Sequence, residues 1–171
     1  IVRDDTAAAP GASYAGFLST QIAADGTVFY QGFLRNAGGS AVNNFNNEFL
    51  ANSAAGIVAR EGSPSDGGTT LPTPDGDVYL AENVTLNNTW DDVFIDGSGG
   101  FVFSPGANTD AFRASDDTQV FGLSGNYWRQ LAGGSATLAL DLSDTPLPGN
   151  LRLGFSTNVT DMNDAGQFVF G

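Results

Sequence analysis

The sequence predicts an all-β protein made of repeated antiparallel meanders of about 70 residues. Three observations point there. Aromatic residues dominate the bulky apolar set, with 13 Phe against 1 Met, and they lie between turns rich in Gly, Asn and Asp. No stretch joins helical periodicity to good helix formers over three turns, because the Ala-rich patches carry Gly or Pro within a few residues. A turn, a glycine and an aromatic strand recur in that order three times, with Gly26, Gly99 and Gly166 set 73 and 67 residues apart.

The elements follow along the chain. Residues 1–5 (IVRDD) read as a strand that ends a unit. Residues 23–30 (AADGTVFY) are a turn and then a strand. Gly26 supplies the positive φ of the turn, and the residues after it alternate between the faces of a sheet. Residues 36–47 are a polar surface excursion. Residues 57–64 (IVAREGSP) form a second end-strand running into a turn, and residues 63–76 form a second long loop. Residues 96–103 (DGSGGFVF) repeat the turn and strand. Hairpin-spaced strands are expected at 101–104, 111–114, 119–123 and 127–131, as one meander. Residues 128–134 are a looser end-strand, and residues 145–150 a loop. Residues 163–170 (NDAGQFVF) are the third turn and strand. The units run over about 1–56, 57–126 and 127–171, the last incomplete, within a single domain or a fragment of one. In each copy an aromatic is expected in the core, from Phe29, Phe101, Phe103, Phe168 and Phe170.

Composition excludes most chemistry. The chain has no Cys, no His and no Lys. Transition-metal sites and Ser-His-Asp, Cys-His, Ser-Lys, Schiff-base and P-loop mechanisms each need at least one of these. Carboxylates, Tyr and Arg remain. The net charge of -13 repels phosphate backbones, so nucleic acid is not an expected partner. No apolar run approaches the roughly 20 residues of a membrane span. The chain lacks a signal peptide and an initiator Met, and reads as a processed or excised piece of a longer one.

The repeated units resemble the bacterial secreted tandem repeats named for an N-x-x-G-x-x-A-F motif. The third copy carries Asn163, Gly166 and Phe170, with Val169 in place of the Ala. The second keeps Gly99 and Phe103 with Asp96 for the Asn, and the first keeps Gly26 with Tyr30 for the Phe. The AREGSP at 59–64 also resembles the strand end that accompanies the motif. The resemblance implies a propeller-like fold, secretion and surface anchoring. It implies no enzymatic activity.

Three kinds of site are candidates. Asp161 and Asn163 begin a D-x-N-x-x-G stretch suited to the oxygen ligands of calcium, though the fifth position is Ala165. Asn83, Asn87 and Asn158 head N-x-S/T sequons for glycosylation. The acidic pairs Asp4-Asp5, Asp91-Asp92 and Asp116-Asp117 read as solvated turns. Adjacent strand residues face opposite ways, so none forms the paired carboxylates of a glycosidase.

The functional expectation is an extracellular structural protein: a scaffold, surface-layer or filament subunit whose partner is itself. A glycan- or calcium-binding propeller module is the alternative, and a carboxylate-only glycoside hydrolase the third. For assembly, the strand Ile1-Val2-Arg3 has no meander of its own, and Phe168-Val169-Phe170 reads as the first strand of an unfinished sheet. One is expected to complete the other head to tail between chains.

Overall fold

The computed structural model describes residues 7–9, 12–36, 48–82, 90–95, 100–105, 109–121, 123, 126–130, 135–141, 146–147, 151–152, 159–163 and 167–170. It is all-β. In chain order the strands are β1 (Ala7–Ala9), β2 (Ala12–Ile22), β3 (Val28–Asn36), β4 (Glu48–Asn52), β5 (Gly56–Arg60), β6 (Val78–Glu82), β7 (Trp90–Ile95) and β8 (Phe101–Pro105). They continue with β9 (Thr109–Arg113), β10 (Gln119–Val120), β11 (Asn126–Gln130), β12 (Ala136–Asp141), β13 (Pro146–Leu147), β14 (Leu151–Arg152), β15 (Val159–Met162) and β16 (Phe168–Phe170). A short 3-10 turn covers Pro64–Asp66.

The first sheet is a true meander, β1-β2-β3-β4-β5 in chain order. Its two edge strands come into contact, so it curls into a half-barrel. The curl has a local cause. The β2–β3 register slips between Tyr14 and Gly16 and again between Phe17 and Ser19. Each slip is a bulge, which bends a strand and increases its twist. Glycines let the strands close up there, because a Cβ on Gly32 would run into the carbonyl of Gly16.

Tyr14, Tyr30, Leu34, Phe49 and Ala51 are buried together, with Ala8 of β1 and Ile57 of β5 packed against them. Both edges meet this cluster, so it lies on the concave side. The opposite face sends Phe29, Leu50 and Ala59 into a larger core with Leu71, Leu80, Phe101, Phe103 and Trp128. With both faces covered, every residue of β4 is buried.

The middle of the chain departs from the expected meander. Strands do form near all four positions, as β8, β9, β10 and β11. However, β9 and β10 join β6 in one sheet, ordered β10-β9-β6. Strands β8 and β11 pair with each other in another, ordered β12-β11-β8-β7. Burial explains the choice. Phe103 lies opposite Trp128, both are fully buried, and their rings stack at 6.3 Å. Ala111 meets Leu80 in the other sheet, again with both buried. The Trp128 indole N–H donates to the Pro72 carbonyl at 2.9 Å, so the largest core side chain leaves no orphan donor.

Three antiparallel hairpins close at the same spacing, on Ile22↔Val28, Ile95↔Phe101 and Met162↔Phe168. The sequence segments between them, 23–27, 96–100 and 163–167, each carry a glycine at the fourth position. In the first, the Ala23 N–H donates to the Thr27 carbonyl at 2.9 Å; in the third, Asn163 donates to Gln167 at 3.0 Å. Gly26 has the expected positive φ, +86°. Gly99 and Gly166 lie outside the described residues. The end-strands are less alike. β5 closes an edge of the first sheet, whereas β11 is an inner strand flanked by β8 and β12.

Candidate functional site

The sequence-derived candidates do not converge on one site. Ile1, Val2, Arg3, Asn83, Asn87 and Asn158 lie outside the described residues. Phe103 is a core residue, fully buried. Phe168, Val169 and Phe170 form β16, which is not the first strand of its sheet as expected, because β15 precedes it in a two-stranded sheet. β16 is the second strand of a hairpin, antiparallel to β15, with Asp161 opposite Val169. A turn implies a strand before it as well as after, and the preceding strand is Val159–Met162.

The calcium reading of Asp161 and Asn163 meets a competing role for Asn163. Its side-chain oxygen accepts the Gln167 N–H at 3.0 Å, and its amide donates to the Gln167 side-chain oxygen at 2.9 Å. The carboxamide thus staples the hairpin turn. Among the described residues no three carboxylates gather as a metal cluster.

The acidic pair at 116–117 is a turn, as expected. Asp116 accepts the Thr118 N–H at 3.0 Å and pairs with Arg113 at 3.3 Å. The Thr118 amide bond is the main influence holding its carboxyl below the usual range. Asp117 takes a positive φ of 56° and accepts the Tyr79 hydroxyl at 3.1 Å.

Two carboxylates that the sequence did not single out are wholly buried. Glu61 accepts the backbone N–H of Glu48 at 2.7 Å and donates its own N–H to the Glu48 carbonyl at 3.1 Å. The Glu48 carboxylate accepts the Gln31 amide at 2.6 Å. Both glutamates have no exposed surface, so no substrate reaches them; they tie the start of β4 to the end of β5. A carboxylate in a turn and a carboxylate in a core look alike in sequence.

The accessible surface that stands out is β2. β1 pairs only with its first residues, at Ala12 and Ser13, while β3 pairs along its whole length. From Gly16 to Ile22 the outer edge of β2 therefore has no strand partner among the described residues. Phe17, Leu18 and Ile22 on this stretch are 39%, 46% and 71% exposed. Beside it lies a small cleft of about 10 Å³, room for about one water, where β2 and β3 meet β7 and β8. Phe29, Phe101 and Val93 are its apolar lining, and Ser19, Gln21 and Gln31 its polar one. The Gln21 amide donates to the Val93 carbonyl at 3.1 Å across the cleft. Ser19 donates to the Gln31 side-chain oxygen at 3.2 Å.

Sequence reasoning passed over β2. One signal was present: Thr6 to Ala24 is the longest run in the chain without a charge, and it leads into the Gly26 turn. No family model, no curated protein and no solved structure matches this chain.

Proposed function

We propose that this protein is an extracellular structural subunit, a scaffold, surface-layer or filament component assembled from β units. One observation carries the reading: three antiparallel hairpins along the chain close at the same spacing, on Ile22↔Val28, Ile95↔Phe101 and Met162↔Phe168. Repeating one supersecondary unit is how extended architectures are made. The polar chemistry of the described residues agrees, since Glu48, Glu61 and Asn163 are engaged in holding strands and turns. Secretion rests on the resemblance of the motif copies. The test is the size of the chain across a concentration series, by sedimentation and by negative-stain microscopy. Ordered particles larger than one chain are expected. A monomer at every concentration and salt level would remove the proposal.

A further inference from the structure

We propose that the free edge of β2 is a self-recognition surface: two copies pair β2 against β2, antiparallel, about a two-fold axis near Ser19 and Thr20. This rests on the assembly reading and names the contact that would carry it.

Four features converge on this strand. Its outer edge from Gly16 to Ile22 presents backbone donors and acceptors without a strand partner among the described residues. Such an edge is a template for another strand. Phe17, Leu18 and Ile22 are three of the five large apolar residues exposed among the described residues, and they sit within six positions of each other. Edge strands are commonly guarded by Lys or Pro. This chain has no Lys, and β2 has neither a charge nor a Pro.

The fourth feature selects the partner. A chain with net charge -13 repels its own copies wherever carboxylates meet. β2 lies inside the longest uncharged run, so its self-pairing brings no carboxylates together along the strand. An antiparallel pair of identical strands is isologous by construction, and one patch serves both subunits. The two five-stranded sheets then join through their β2 strands, with Leu18 and Ile22 carried into the new contact.

The geometry makes a sharp test because the chain has no Cys. In an antiparallel self-pair only the residue at the axis faces its own copy, with Cα atoms about 4.5–5.5 Å apart. That spacing admits a disulfide. Two positions away, a residue and its copy are separated along the strands by about 13 Å, too far for the bond. Single variants Leu18→Cys, Ser19→Cys, Thr20→Cys, Gln21→Cys and Ile22→Cys are oxidised and run on non-reducing gels. Cross-linked dimer is expected to peak at one position or two adjacent ones, about tenfold above the ends of the series. In parallel, Thr20→Lys is expected to sediment as the smaller species with an unchanged circular dichroism spectrum, since it sets two cations against each other at the axis.

If the chain assembles but cross-linking is absent or flat across the series, β2 is not the contact and the assembly reading survives on another surface. If the chain stays monomeric, both fail. Undiminished assembly by a folded Thr20→Lys variant also overturns the β2 contact.

Discussion

Glu61 shows what one residue contributes when it is buried. Its carboxylate oxygen accepts the Glu48 N–H at 2.7 Å inside a site without water access. Removing the acceptor leaves a buried donor unsatisfied, which costs about 1–3 kcal/mol. Glu61→Ala is therefore expected to lose at least that in urea unfolding. Glu61→Gln keeps an acceptor oxygen and is expected to lose less; equal losses would show that the bond is not the cause. The tyrosines predict a pH dependence. Burial, then the hydrogen bond shared with Tyr14 at 3.4 Å, pushes the Tyr30 hydroxyl above its ordinary 10.0. Burial and the bond to Asp117 push Tyr79 the same way. A raised folded value means that the unfolded chain releases its protons first as pH climbs. Stability from these groups is complete below pH 10 and declines above it. Urea unfolding from pH 8 to 11 measures this, and Tyr30→Phe is expected to make the decline shallower.

At the scale of elements, the β2–β3 hairpin contains two glycines required for different reasons. Gly26 has a φ of +86° with open space around it, so only its backbone conformation resists a side chain. Gly32 has an ordinary φ but faces the Gly16 carbonyl, with the Phe17 Cα 3.1 Å from a would-be Cβ. Gly26→Ala is expected to cost about 1–2 kcal/mol, and Gly26→Asn less, because Asn tolerates the left-handed region. At Gly32 the obstacle is steric, so Ala and Asn are both expected to cost about 1–3 kcal/mol. Thermal melts of the four variants check the contrast. Recovery by Asn at Gly32 would contradict the close approach. The same hairpin shows what was legible locally. The turn at Gly26 and the strand after it were readable from the glycine and the aromatics. The strand before it was missed because β2 has bulges at two points, which break the period-2 alternation that marks a strand.

For the whole molecule, charge is the dominant variable. With 19 acidic residues against 6 basic ones, compaction and assembly both work against like-charge repulsion. Salt screens that repulsion, so melting temperature and particle size are expected to rise with ionic strength. Calcium is expected to act as a screening ion. Its effect on the melting curve should then match NaCl at equal ionic strength. A rise at micromolar calcium and constant ionic strength would instead reveal a specific site.

The sequence by itself determined the all-β class, the turn at Gly26, the positions of seven of the sixteen described strands and a buried aromatic in each of the first two motif copies. Each of these depends on a few neighbouring residues: a glycine free to take positive φ, aromatics that favour an extended backbone, and Asp or Asn side chains that close turns. Only the tertiary structure decided which strands pair. β8 skips β9 and β10 to join β11 because Phe103 and Trp128 share one core, and β9 turns instead to β6. The concave cluster around Tyr14 and Phe49, the buried carboxylates of Glu48 and Glu61, and the open edge of β2 belong to the same category. Local preference says that a segment is a strand. Its neighbour is chosen by apolar area removed from water between residues far apart in the chain, a quantity that no short window of sequence contains.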